Sequence, residues 1–163
     1  MADGLEIERK FLIAYPREQD LVGAERVEIS QTYLLSEDGE THRVRRWLCD
    51  GKTRYFETKK RRITNVTCRE DEKEIDEAAY MTLLTKRDPA RKTVEKIRYR
   101  LPCGGHVVEI DVYPFWQDRA IMEIELEWED EEIDFPDGIR MIREVTDDPR
   151  YKNASLAFCI PQD

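Results

Sequence analysis

The sequence predicts a mainly β protein of the α+β kind: an eight-stranded antiparallel sheet closed into a barrel, with a few helices packed outside. Three observations predict it. Eight segments alternate charged and apolar residues with a period of two, the spacing that sends successive side chains to opposite faces of a strand. Turn sequences separate most of them, and only one stretch has clear helical spacing. Closing so many antiparallel strands into a barrel removes the exposed edges an open sheet would leave. The 163 residues suit one core, and no linker, repeat or low-complexity segment divides them, so a single domain over 1–163 is expected.

The elements follow in order. Residues 5–13 (LEIERKFLI) read as the first strand, and 15–25 as a loop with a short helix after Pro16. Residues 28–35 form the second strand, and Ser-Glu-Asp-Gly-Glu at 36–40 a turn. Residues 41–48 and 53–60 pair as a hairpin through Cys49-Asp50-Gly51-Lys52. Residues 61–66 are a loop and 67–75 (TCREDEKEI) the fifth strand. The period then changes. Over 76–86 the apolar set Ala79, Tyr80, Leu83 and Leu84 has helical spacing, Asp76 is the N-cap, and Asp88-Pro89 stops the helix. Residues 93–101, 106–113 and 119–128 complete the strands, with a tight turn at 102–105. The tail, 138–158, is expected to hold one or two short helices broken at Asp148-Pro149.

Composition narrows the function. Charged residues make up 39% of the chain, against about 25% in an ordinary domain. The net charge of −9 argues against nucleic acid as a partner. No apolar run approaches the roughly 18 residues of a membrane span, and the MADGLEIERK start has no signal-peptide pattern, so no membrane partner and a cytoplasmic location are expected. Four scattered cysteines and two histidines do not make a zinc site, and a reducing compartment would keep the thiols free.

The charge is not scattered. Taken at every second residue, the strands carry Glu6, Glu8 and Lys10; Arg43 and Arg45; Thr58 and Lys60; Glu70, Glu72 and Glu74; Lys96, Arg98 and Arg100; Glu109 and Asp111; and Glu123, Glu125 and Glu127. One such face is ordinarily a solvated face. Seven together, mostly of one sign per strand, point to a wet interior in which acidic strands face basic ones. Unpaired charges in a narrow barrel are costly, so function is the natural reason for them. Carboxylates are hard oxygen ligands for Mg²⁺ or Mn²⁺. Arg and Lys clamp phosphate oxygens. The combination describes phosphoryl transfer, and so large a basic set matches a long anion such as triphosphate. No Walker-type glycine loop occurs, so side chains would hold the phosphates.

These residues resemble a known family. EIERK resembles the Glu-x-Glu-x-Lys signature of the CYTH domain superfamily, the triphosphate tunnel metalloenzymes. The likeness runs in order along nearly the whole chain: EIERKFLI, QTYL, Arg43-Val44-Arg45, ETKK, EDEKEI, KIRY, GGHVVEID, MEIELE and DPRYKNASL. It implies an eight-stranded barrel forming a tunnel, and divalent-metal-dependent hydrolysis of inorganic triphosphate or a similar short polyphosphate. By the resemblance, Glu6, Glu8, Glu123, Glu125 and Asp111 are metal candidates. Lys10, Arg43, Arg45, Lys60, Lys96 and Arg98 would bind substrate. Glu6, Glu8, Lys10, Glu70 and Glu72 form the catalytic set, the last two positioning metal or water. Tyr33 matches a family tyrosine.

One position departs from the pattern. Relatives often carry Arg where Cys68 stands, and Arg69 beside it returns to the lumen only through a bulge. A thiamine or nucleoside triphosphatase, a class IV adenylate cyclase, and a polyphosphate-binding module without turnover remain alternatives, and Cys68 favours the last. The oligomeric state is not legible, and a homodimer stays among the options. His42 is read as a surface residue, Trp47, Trp116 and Trp128 as packing residues, and Asn153 and Ser155 as caps or plugs of one tunnel end. Lys59, Arg61 and Arg62 are read as solvated or as a patch at the mouth.

Overall fold

The computed structural model describes residues 4–162; Met1–Asp3 and Asp163, the two ends of the expected 1–163 domain, lie outside the described residues. Eight strands form the wall: β1 (Leu5–Ala14), β2 (Glu25–Tyr33), β3 (Glu40–Cys49), β4 (Lys52–Arg62), β5 (Thr67–Ile75), β6 (Val94–Cys103), β7 (His106–Val112) and β8 (Arg119–Leu126). They are hydrogen-bonded in the order β5-β4-β3-β2-β6-β7-β8-β1, and β1 returns to β5, so the antiparallel barrel closes as expected. The β3–β4 hairpin turns at Asp50 (φ 51°) and Gly51 (φ 76°), both in the left-handed region that a two-residue type I′ turn requires.

The closing seam is short. Among the described residues, Leu5–Ile7 pair with Thr67–Arg69, and the Glu8 N–H donates to the Val66 carbonyl at 2.9 Å beyond them. Further along, the same edge of β1 is taken by a ninth strand, β9 (Met141–Glu144), whose register opposite Phe11–Ile13 is held by the Arg9–Glu144 ion pair at 2.6 Å. The sequence predicts helix from 138 onward, but helical turns begin only later, with a 3-10 turn at Pro149–Tyr151 and a one-turn helix, α2, at Asn153–Leu156. A bare β1 edge is the physical reason: the strand's unpaired amides and carbonyls need partners.

The lumen face changes character along its length. Two residues on from Lys10 and Asp111, or two before Lys96 and Glu123, it becomes Leu12, Tyr113, Val94 and Ile121. These join Tyr33, Trp116, Val145, Tyr151 and Leu156 in an apolar cluster. The barrel interior is thus charged over one part and plugged by packed side chains at the other, with the C-terminal segment contributing to the plug.

Outside, helix α1 (Glu77–Leu84) is capped by Asp76, whose side chain accepts from the Ala79 N–H, and lays Tyr80, Leu83 and Leu84 on Leu34 and Val44. The larger outer face is Phe11, Ile13, Val108, Ile110, Met122 and Ile124, and the short 3-10 helix expected after Pro16, Glu18–Leu21, packs its Leu21 there. Ala24, Ile133 and Ile139 from connecting segments cover the rest, and the Phe135 ring meets Phe11 edge-on at 5.1 Å. Trp116 is buried, whereas Trp128 is 53% exposed and does not pack as expected. Phe11→Ala is therefore expected to cost about 3–5 kcal/mol in urea unfolding, as a large core truncation does. Trp128→Ala is expected to stay within about 0.5 kcal/mol, as an exposed position does.

Candidate active site

A cavity of about 240 Å³ lies in the charged part of the lumen. β1 contributes Glu6, Glu8 and Lys10, β3 Arg43 and Arg45, β4 Lys60, β5 Glu70, β6 Arg98, and β8 Glu123. Nine of the predicted site residues therefore converge on one space. Cross-strand register explains this: Lys10 stands opposite Glu123, Lys60 opposite Glu70, and Arg43 opposite Thr58, all on the inward face.

Four predicted residues do not line it. Asp111 is fully buried among its neighbours as the counterion of two cations: its Oδ1 accepts from Arg98 Nε at 2.8 Å, and its Oδ2 from Lys96 Nζ at 2.8 Å and Arg98 Nη2 at 3.0 Å. Lys96 is pinned there, and Asn153 Oδ1 also lies 3.4 Å from its ammonium. Burial pushes the Lys96 pKa down to about 8 against the pull of Asp111. Glu72 accepts from Arg45 Nη2 and Thr58 Oγ1, both at 2.7 Å. Glu125, opposite Glu8 in the ladder, is exposed in a neighbouring acidic recess with Glu109, Glu127 and Glu131.

The carboxylates in the cavity are split in their affinity for protons. Burial works against ionising Glu6, but Lys60 Nζ at 2.7 Å, a hydrogen bond with Glu70 and the Arg43 charge hold it well below the usual range. Burial likewise opposes ionising Glu123, but Lys10 and Arg98 outweigh it. Glu8 goes the other way: burial, then the charges of Glu123 and Glu6, push it up to about 8. Burial and the hydrogen bond with Glu6 raise Glu70 to about 7. The cations are uneven too. Lys60 pairs with Glu6 and Glu70, Arg45 with Glu72, and Arg98 with Asp111, Glu109 and Glu123. Arg43 is only 8% exposed, makes no ion pair among the described residues, and leaves its Nε without a hydrogen-bond partner.

The donors are carboxylate oxygens, which suit a hard divalent cation. Among the described residues no three His, Cys, Asp or Glu side chains are arranged to hold an ion.

Two further cations line the cavity outside the predicted substrate-binding set: Arg62, read as solvated or as part of a patch at the mouth, and Lys152, on which the sequence reading is silent. Arg62 belongs to the Lys59–Arg62 run, and extending the Thr58, Lys60 alternation one step would have found it. Lys152 sits on an irregular segment, where no period gives a signal. The strand is regular at Cys68: Arg61 pairs with Arg69 and Arg62 with Cys68, so no bulge returns Arg69, which is exposed on the outer face. His42 pairs with Glu57 at 2.6 Å, and His106 with Glu131; neither lines the cavity. All four cysteines are free thiols.

A closed barrel with carboxylates, ammonium and guanidinium groups turned inward defines a class: tunnel proteins built to surround a small polyanion. No family model matches the chain. An inorganic triphosphatase of Nitrosomonas europaea is 34% identical over 159 residues, covering 96% of this chain and 99% of its own. An inorganic triphosphatase of Acetivibrio thermocellus is 31% identical over 155 residues, covering 94% and 93%. A crystal structure of an inorganic triphosphatase matches with a TM-score of 0.60 at 32% identity, covering 96% of both chains. The chain belongs to the CYTH domain superfamily of triphosphate tunnel metalloenzymes, as the resemblance in its sequence implies.

Asp111→Ala leaves Lys96 and Arg98 buried without their counterion, and is expected to cost about 3–5 kcal/mol in urea unfolding. A second expectation concerns pH. Glu8 and Glu70 bind their protons more tightly folded than unfolded, so their contribution is full below the ordinary carboxylate range and is lost as pH rises to about 8. In chelating buffer the urea midpoint should fall between about pH 5 and pH 8, and Glu8→Gln should flatten that fall.

Proposed function

We propose that this protein hydrolyses inorganic triphosphate to pyrophosphate and orthophosphate with the help of a divalent cation. The observation that carries the reading is Arg43, a buried guanidinium with no ion pair among the described residues, lining a cavity that also holds Glu6, Glu8, Glu70 and Glu123. The inorganic triphosphatases at 31% and 34% identity over nearly the whole chain support the same substrate. The lining supports an inorganic anion over a nucleotide or thiamine ester: Tyr33 is its only aromatic residue among those described, and it leaves no ring pair to hold a base. A reducing cytoplasm suits the four free thiols.

Arg43, Lys10, Lys60 and Arg98 bind the phosphate oxygens and neutralise their charge, which is most of what phosphoryl transfer asks of a protein. Glu8 and Glu123 would hold Mg²⁺ or Mn²⁺, which supplies further charge neutralisation and lowers the pKa of a water. Glu70 takes the proton of the attacking water; its pKa of about 7 suits a general base at neutral pH. Oxygen of that water bonds to the terminal phosphorus as the bridging P–O bond breaks, and pyrophosphate leaves. Lys96 and Asp111 act one step back, by fixing the Arg98 guanidinium. Glu72 does the same for Arg45.

Phosphate release from inorganic triphosphate is expected to require Mg²⁺ or Mn²⁺, to stop with chelator, and to exceed release from ATP and thiamine triphosphate. Glu70→Gln is expected to lower kcat by about 10²-fold or more while triphosphate binding persists. Equal release from ATP, or tight binding with no product from any of the three, would overturn the assignment.

A further inference from the structure

A second cavity, of about 510 Å³, lies outside the barrel, behind the stretch of β6 that carries Lys96. Its floor is the outward face of β2 and β6. Ile97 on that floor is half-buried and joins none of the apolar clusters of the fold. Val112, opposite Ile97 in the β6–β7 ladder, carries the apolar surface on to Pro114 and Trp116. This wall is formed in advance. Trp116 is 7% exposed and held by edge-on contacts with Tyr113 and Phe115 at 5.6 and 5.0 Å, and Gln117 Nε2 donates to the Pro114 carbonyl at 3.1 Å. A preformed, largely apolar recess of this size with a few polar groups is what small-molecule sites look like.

The polar groups are placed in a row. Ser30 of β2 stands opposite Arg46 of β3 on one side and Glu95 of β6 on the other. The sequence across the groove is therefore cation, small hydroxyl, anion, with the charged residues two strand spacings, about 10 Å, apart at the backbone. Ser30 Oγ donates to Glu95 Oε1 at 2.9 Å and holds that carboxylate over the floor. Among the described residues neither Arg46 nor Glu95 makes an ion pair, whereas Glu28, the other carboxylate of the rim, pairs with Arg26 at 3.7 Å.

We propose that this groove binds a free amino acid with a large apolar side chain: Arg46 takes its carboxylate, Glu95 its ammonium, and Ile97, Val112 and Trp116 its side chain. Charge complementarity selects the zwitterion. An amine alone leaves Arg46 unmatched, a carboxylate alone leaves Glu95 unmatched, and a polyphosphate is repelled by Glu95. The site is separate from the tunnel and does not rest on the triphosphate reading.

The test titrates the full chain with L-phenylalanine, following heat and tryptophan fluorescence. Binding at about millimolar Kd or tighter is expected from two charge-assisted contacts and one sheltered ring. Phenethylamine, which lacks the carboxylate, and 3-phenylpropionate, which lacks the ammonium, should each bind about tenfold more weakly, and glycine, which lacks the ring, should give no signal. Arg46→Gln should erase the advantage of phenylalanine over phenethylamine, and Glu95→Gln its advantage over 3-phenylpropionate. Both positions are exposed, so urea midpoints should match the parent's. No binding up to about 10 mM, equal binding of either single-charge analogue, or variants that bind like the parent would overturn the proposal. So would displacement of phenylalanine by inorganic triphosphate, which would put the ligand in the lumen.

Discussion

Everything in the lumen depends on compensating buried charge. Taking a carboxylate or a guanidinium out of water costs several kcal/mol unless close partners replace the hydration. Asp111 shows how this is done: a carboxylate without exposure, gripped by Lys96 and by two nitrogens of Arg98. That triad allows Arg98 to present its remaining N–H groups towards Glu109 and Glu123, at 3.3 and 3.7 Å. Glu72, itself exposed, pairs with the buried Arg45 guanidinium at 2.7 Å. The working residues thus stand on a layer of charges that no longer need a ligand, and only a minority, Arg43 foremost, are left wanting one.

The apolar plug completes this arrangement. Charges can be tolerated in the lumen because the same inward face turns to Leu12, Val94, Tyr113 and Ile121 within one step of the alternation. Tyr113 belongs to both worlds: its ring packs on Phe115 and Trp116, and its hydroxyl donates to Asn153 beside the Lys96 ammonium. The boundary between wet and dry interior is therefore a set of specific hydrogen bonds. It also ties the C-terminal segment to the back of the cavity.

Much of this was legible in the sequence because a strand has an exact two-residue period. Glu6, Glu8 and Lys10 share a face by geometry alone, and so do Arg43 and Arg45. The period does not say how far along the barrel a side chain lies. Lys96 and Asp111 share the lumen face, yet sit where cavity gives way to plug; Glu125 shares it, yet lies beyond the cavity. Nor does it show which charges neutralise one another, so Glu72 and Arg98 looked alike in availability. Lys152 and β9 were illegible for a different reason. Both belong to a tail whose conformation is set by what the barrel leaves unpaired, not by any local pattern.

The short seam has a consequence for how the molecule comes into being. Lys10 lies in the first strand, and its ladder partner Glu123 lies in the eighth. The residues that join β1 to β9 lie further on still. While the chain is emerging from a ribosome, β2 to β5 can assemble as local meanders, and β5 offers β1 three residue pairs, but the eight-pair ladder of β1 with β8 waits until most of the polypeptide has been made. The barrel must therefore close late, along the ladder between β1 and β8. The first strand synthesised, which carries Glu6, Glu8 and Lys10, is among the last to find its place, so the site is completed by the same event that completes the fold.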